Sequence, residues 1–216
     1  MSKDDVVWTA EPHTLVKHRV YQAYLSKWMP IMIRGWGGDI TYAEGFSGPG
    51  IYTGKQPGSP VIALRTLLDS PGLRTTVRRL RFLFVEERRD RSDWLRQQLE
   101  KAARPVALPD LGKYGIDLAI KTGTCDPELV NLLDRHGAWG RPMLVVLDTY
   151  GGGVRLDLVR RIVENPSSEV IITFEPQHFT RFASAESVTD GDMVFGDPDW
   201  RRVADLPPEE KNRWVI

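Results

Sequence analysis

The sequence predicts an α/β fold built around a doubly wound parallel sheet. Short apolar runs rich in Val, Ile and Phe alternate with longer amphipathic stretches, a pattern typical of parallel βα units. Three of these runs end in an acidic residue, and a glycine-rich segment follows the first of them. The 216 residues are enough to bury a sizeable core, so we expect one domain spanning residues 1–216.

The first predicted element is an amphipathic helix over residues 13–33. Its apolar residues recur every four positions, which we interpret as one stripe facing the core: Val16, Val20, Tyr24, Trp28 and Met32. The sheet core follows over residues 38–185. Residues 186–216 contain no convincing strand, so an extended C-terminal tail is expected there.

Five strands are predicted, at residues 39–44, 81–86, 116–121, 143–148 and 169–174. Helices are predicted between them, at residues 60–68, 90–103, 126–133 and 155–164. Ser59 is expected to cap the first of these helices, and Trp94, Leu95 and Leu99 are expected to face inward from the second. If the strand order is 3-2-1-4-5, the ends of the first, second and fourth strands would lie side by side. The strands that usually finish such a sheet would then be lacking, and the fifth strand would be an edge.

Acidic residues at the ends of three strands mark the candidate site. Ligands of open parallel sheets bind outside the carboxyl ends of the strands, near the switch point of the strand order. Glu44 and the glycine loop of residues 45–50 follow the first strand. The glycines permit tight turns and let a ligand approach the backbone, although an ordinary β-to-α turn is the alternative. Their spacing is not that of the dinucleotide fingerprint, and Glu44 suits a cationic amino group better than a diphosphate.

Two further acids extend this candidate site. Glu86 ends the second strand, where an acid commonly accepts hydrogen bonds from ribose hydroxyls, although a solvated surface residue fits its position equally well. Asp148 ends the apolar fourth strand, where it could act as a base or orient an acceptor, and Tyr150 could stack on a planar substrate. The alternative is that Asp148 caps the next helix and Tyr150 fills a gap.

Composition narrows the classes of protein. The chain contains 29 basic residues (Lys and Arg) and 29 acidic residues (Asp and Glu). A nucleic-acid partner is therefore possible but has no support from net charge. The single cysteine, Cys125, excludes an internal disulfide and a cysteine-rich zinc site. The four histidines lack metal-ligand spacing, so no metal is expected. Without a membrane span or signal peptide in the sequence, we expect a soluble cytoplasmic protein.

Several segments together resemble one known family. The most specific segment runs over residues 44–54 (Glu-Gly-Phe-Ser-Gly-Pro-Gly-Ile-Tyr-Thr-Gly), followed by Pro57-Gly58-Ser59-Pro60. It is similar to the three-Cys-motif partner proteins, a bacterial group built on a Rossmann-like class I methyltransferase fold. Further matching segments are Lys17-His18, Phe84-Val85-Glu86, Asp148-Thr149-Tyr150-Gly151 and Phe195-Gly196…Trp200.

The resemblance implies binding of S-adenosylmethionine. Glu44 would lie toward the amino acid end of the cofactor and Glu86 on its ribose, with Gly45, Phe46, Gly48 and Gly50 forming the cofactor loop. Asp148 and Tyr150 would serve the methyl acceptor, which the resemblance does not name. It also implies a partner, a three-Cys-motif protein encoded nearby. The expected edge strand suggests a homo-oligomer that covers it.

Three functions remain open on the sequence. The first is an S-adenosylmethionine-dependent methyltransferase of unknown acceptor. The second is a catalytically silent accessory protein, suggested by Thr149, which stands where the family has proline. The third is an NAD-dependent oxidoreductase, since the same type of sheet serves both cofactors.

Overall fold

The computed structural model describes residues 5–149, 153–184, 190–207 and 209–211. Its strands are β1 (Asp39–Glu44), β2 (Arg79–Glu86), β3 (Ile116–Thr122), β4 (Met143–Asp148) and β5 (Glu169–Thr173). Its α-helices are α1 (Pro12–Gly35), α2 (Ser59–Leu68), α3 (Pro71–Arg74), α4 (Arg89–Ala103), α5 (Cys125–Arg135), α6 (Leu156–Val163), α7 (Pro176–Phe182) and α8 (Asp190–Phe195). Two 3-10 helices lie at Leu108–Tyr114 and Pro198–Asp205.

The sheet confirms the predicted fold class, and its strand order is the one under which the three acidic strand ends lie side by side. All neighbouring strands pair in parallel, in the order β3-β2-β1-β4-β5. The chain therefore builds outward from β1 to β3 on one side, and then from β4 to β5 on the other. This reversal places a switch point between β1 and β4, where the connections on either side diverge and leave a crevice. The molecule is a doubly wound, Rossmann-like α/β fold.

Helices cover both faces of the sheet and create two apolar cores. On one face α1, α2 and α4 pack against strand residues that include Phe84 and Val146. On the other face α5 and α6 pack against Val145 and Leu147. Successive residues of a strand point to opposite faces, so the nearly continuous apolar run of β4 supplies both cores. The prediction that this run forms a central strand is thus confirmed.

The predicted apolar stripe of α1 is largely wrong. Val16 and Val20 are 58% and 59% exposed, and Tyr24 is 38% exposed. The helix instead buries a face set by three- and four-residue steps: His18, Tyr21, Leu25, Trp28, Met29 and Ile33. At 3.6 residues per turn, a strict four-residue spacing advances about 40° around the axis at each step. A stripe drawn with that spacing therefore spirals away from the core.

Two smaller predictions about helices also fail. Trp94 lies on the exposed side of α4, while Leu95 and Leu99 are fully buried as predicted. Ser59 does not cap α2, because Gly58 occupies the N-cap and no side chain completes the cap. The Ser59 hydroxyl is directed instead to Glu44 at the end of β1. This hydroxyl therefore contributes to the candidate site.

The segment after β5 is helical where the structure describes it. Helices α7 and α8 and the final 3-10 helix enclose a small core that contains Phe179, Trp200 and Val203. The extended tail predicted from residue 186 is thus folded over 190–205. In the described ranges no strand pairs with the outer edge of β5. Within the same ranges, no helix is both long and apolar enough to cross a membrane.

Candidate functional site

The three predicted acids lie at the carboxyl ends of the neighbouring strands β2, β1 and β4. Glu44 is aligned with Phe84 of β2 and Val146 of β4. Glu86 and Asp148 therefore stand two residues further along the flanking strands, about 7 Å beyond the row of Glu44. Paired residues and residues two apart share a face of a sheet, so all three acids belong to the face covered by α1, α2 and α4. Open parallel sheets bind ligands in a crevice at this position, so we call the region lined by the three acids the acidic crevice; Glu44 is the most buried of the three.

Glu44 is a buried carboxyl held by two hydroxyl groups. Its side chain is 1% exposed. The Tyr42 hydroxyl donates to Oε1 at 2.7 Å, and the Ser59 hydroxyl donates to Oε2 at 2.7 Å. Burial raises the pKa of Glu44 to about 8, because the charged form loses its hydration. Among the described residues, no Lys, Arg or His forms an ion pair with this carboxyl.

The glycine loop is tied to the two strands that flank β1. The amide of Gly45 donates to the Val146 carbonyl at 3.0 Å, and the amide of Ser47 donates to the Val85 carbonyl at 2.9 Å. Gly48 and Gly50 have φ angles of +64° and +77°, which side chains disfavour. These restraints hold the loop directly over the carboxyl ends of the strands.

Close packing inside the protein also requires some of these glycines. A Cβ on Gly45 would lie 2.5 Å from Sγ of Cys125, and one on Gly50 would lie 2.8 Å from a methyl group of Leu95. A Cβ on Gly48 would meet Trp8 at the ordinary contact distance of 3.7 Å. Gly45 and Gly50 are thus needed by the core, whereas Gly48 borders open space under an indole. Phe46, the other predicted loop residue, is 38% exposed.

Glu86 closes the other end of the loop. Its Oε2 accepts the Gly48 amide at 2.9 Å and its Oε1 accepts the Arg88 amide at 2.9 Å. Burial raises the pKa of Glu86, while these two amides and the charge of Arg91 act in the opposite direction. Each carboxylate oxygen carries two lone pairs, so each retains one acceptor position for a ligand hydroxyl.

Asp148 is paired with a lysine from α1. Nζ of Lys17 donates to both carboxylate oxygens of Asp148, at 2.7 and 2.5 Å. Both side chains are about three-quarters buried, so water screens the pair less than it would at the surface. The neighbouring Thr149 hydroxyl donates to the Thr173 carbonyl of β5 at 3.3 Å. The other predicted acceptor residue, Tyr150, lies outside the described residues.

Sequence reasoning assigned no role to Trp8, His18 and Tyr52, whose rings contact one another. The ring of Tyr52 lies 5.4 Å from that of His18 and 5.8 Å, edge-on, from that of Trp8. Burial, reinforced by the charge of Lys17, lowers the pKa of His18. Lys17, His18 and Tyr52 all fall in the segments that carry the family resemblance, which is the signal that could have singled them out.

Two cavities of the structure lie away from the acidic crevice. One, of about 320 Å³, is lined by Glu100 and residues 104–109. The other, of about 210 Å³, lies between β5 and α8 and is lined by Ile172 and Val159, on the opposite face of the sheet. Neither cavity is lined by an acid of the crevice. The chemistry at the strand ends, rather than cavity size, therefore identifies the candidate site.

Comparison of the chain with models of protein families, with curated proteins and with solved structures finds no match. The class that the structure defines is a doubly wound α/β protein with acids at the ends of β1, β2 and β4. Within the described residues no cluster of His, Cys, Asp and Glu could hold a metal ion.

Proposed function

We propose that the protein binds S-adenosylmethionine in the acidic crevice and transfers its methyl group to an acceptor at Asp148. The observation that carries the proposal is the meeting of Glu44, Glu86 and Asp148 with a glycine loop at the switch point of the sheet. Three carboxyl groups favour a ligand with cationic centres and ribose hydroxyls. They disfavour a dinucleotide, because carboxyl groups offer no positive charge to bind its diphosphate.

The residues present fit this cofactor. Glu44 is a buried carboxyl without an ion-pair partner in the described chain, and an ammonium group beside it would favour its charged form. Glu86 retains two acceptor positions for the two ribose hydroxyls. Gly48 exposes backbone without a side chain, which permits close approach of a ligand. Bound there, the cofactor supplies an activated methyl group on a sulfonium.

Asp148 and Lys17 would act on the acceptor. The ion pair with Lys17 fixes the orientation of the Asp148 carboxylate at the carboxyl end of β4. A proton leaving the acceptor would pass to Asp148, and Lys17 would balance the carboxylate charge beforehand.

Calorimetric titration with S-adenosylmethionine tests the proposal, using Glu86→Gln and the matched control Glu100→Gln on the exposed side of α4. The wild type should give a one-site isotherm. Loss of a charged hydrogen-bond acceptor should weaken binding about tenfold in Glu86→Gln and leave the control unchanged. No heat from the wild type, or a thermal midpoint raised by NAD and not by S-adenosylmethionine, would contradict the proposal.

A second candidate function is cofactor binding without methyl transfer, as an accessory protein. The observation that favours it is that Lys17 occupies both oxygens of Asp148. The partner proposed for this role is the three-Cys-motif protein encoded nearby. Co-purification of the two proteins without formation of S-adenosylhomocysteine would support this function. Turnover by the protein alone would exclude it.

A further inference from the structure

The N-terminal segment of residues 5–11, which we call the strap, crosses the outer side of the glycine loop. Two hydrogen bonds to its backbone hold it there. The Trp8 carbonyl accepts the Thr53 amide at 3.0 Å, and the Asp5 carbonyl accepts Nη2 of Arg91 at 3.1 Å. One contact therefore comes from the segment after the glycine loop and the other from α4. The strap joins the two elements that border the Glu86 end of the crevice.

The indole of Trp8 anchors the strap. The guanidinium carbon of Arg91 lies 4.7 Å from its ring centroid, a cation–π contact, and Tyr52 meets it edge-on. Cη2 of the indole is the nearest atom to the position that a Cβ on Gly48 would occupy, at 3.7 Å. The indole thus covers the point of the glycine loop where the backbone has room for a ligand.

This point belongs to the ribose end of the acidic crevice. The Gly48 amide donates to Glu86, so Trp8, Gly48 and Glu86 follow one another in contact. Arg91 adds its charge to the same end, where it favours the ionised form of Glu86. A nucleoside whose ribose is bound by Glu86 would present its purine close to the Trp8 indole. A purine stacks readily on such a ring.

We propose that Trp8 is a cofactor-contacting residue, and that the strap closes over the adenosyl group held between the glycine loop and Glu86. This inference rests on the proposed function and adds a residue to its site. The strap is attached mainly by two hydrogen bonds and two ring contacts near the surface. Segments with so few contacts open at low free-energy cost. The cofactor would enter while the strap is open and would be retained once Trp8 stacks on it.

The experiment is calorimetric titration of four variants with S-adenosylmethionine, and then with S-adenosylhomocysteine. Trp8→Ala removes the stacking surface and Trp8→Phe keeps an aromatic ring. Arg91→Met keeps the indole itself and removes the hydrogen bond to the Asp5 carbonyl, the cation–π contact with Trp8 and the charge beside Glu86. Trp94→Ala is the matched control, because Trp94 is an exposed indole of α4 that makes its cation–π contact with Lys101, away from the strap.

Trp8→Ala should weaken the affinity for both ligands about tenfold, as expected for one lost aromatic–base stack. Arg91→Met should weaken it less, while Trp8→Phe should stay within about threefold of the wild type and Trp94→Ala should match it. Unchanged or tighter binding by both Trp8→Ala and Arg91→Met would overturn the inference and leave the proposed function standing. If the wild type bound neither ligand, both this inference and the proposed function would be contradicted.

Discussion

The buried carboxyl of Glu44 makes the stability of the protein depend on pH. Its pKa rises from 4.5 to about 8 on folding. The folded state thus holds this proton more tightly than the unfolded chain does. The stabilisation is fully present below about pH 4.5 and is lost as the pH rises through about 8. Replacing Glu44 by Gln keeps the shape of the side chain and removes the charge, so it should remove this dependence.

The size of the effect follows from the change in pKa. One pKa unit is worth about 1.4 kcal/mol, so a rise from 4.5 to about 8 corresponds to about 5 kcal/mol in the free energy of unfolding. Of this stabilisation, less than about 1 kcal/mol is lost at pH 5 and about 3 kcal/mol is lost at pH 7. The free energy of unfolding of Glu44→Gln should therefore increase relative to that of the wild type as the pH rises.

Urea unfolding of both proteins at about pH 5, 7 and 8.5 measures this difference. The difference in the free energy of unfolding between the two proteins at about pH 5 reports the replacement itself. Its increase by about 4 kcal/mol between about pH 5 and 8.5 reports the charge of Glu44. Glu100→Gln, at an exposed position, should follow the wild type throughout. A gap between Glu44→Gln and the wild type that stays constant with pH would refute the assigned burial of the Glu44 charge.

Two further predictions concern α1. Val20→Glu should change the free energy of urea unfolding by less than about 0.5 kcal/mol, because Val20 is exposed. Leu25→Ala should lower it by about 2 to 5 kcal/mol, because Leu25 is buried. A larger loss from Val20→Glu than from Leu25→Ala would support the stripe predicted from the sequence. Lys17→Met should cost about 1 to 3 kcal/mol by leaving Asp148 unpaired, and adding Asp148→Asn should recover most of it; additive losses in this double-mutant cycle would show that the pair is not coupled.

The sheet could be predicted from local sequence because its signals are local. The apolar runs of β1 and β4 have the bounds expected from the sequence, and the order of the five strands is the one usual for a doubly wound sheet. The face of α1 could not be predicted from a four-residue spacing. Near-equal apolar residues lie on both sides of that helix, and only packing against the sheet selects Tyr21 and Leu25 over Val16 and Val20.

The candidate site was partly predictable for a similar reason. Acids at the ends of β1, β2 and β4 meet because topology brings strand ends together, and Glu44, Glu86 and Asp148 do so. Their partners are set by tertiary contacts that leave no periodic trace. Lys17 and Asp148 are 131 residues apart in the sequence. Trp8 precedes α1 in the sequence and the glycine loop follows it, yet the two are in contact. Such pairs emerge only when the helices and strands are packed.

A crystal structure of the protein with S-adenosylhomocysteine would test the central claim most directly. The account predicts the ligand at the switch point, with its ribose hydroxyls bound to Glu86, its ammonium group toward Glu44 and its purine against Trp8. A ligand bound elsewhere, such as in the apolar cavity between β5 and α8, would contradict the account. So would an acidic crevice that holds no ligand when the crystal is grown at a saturating ligand concentration.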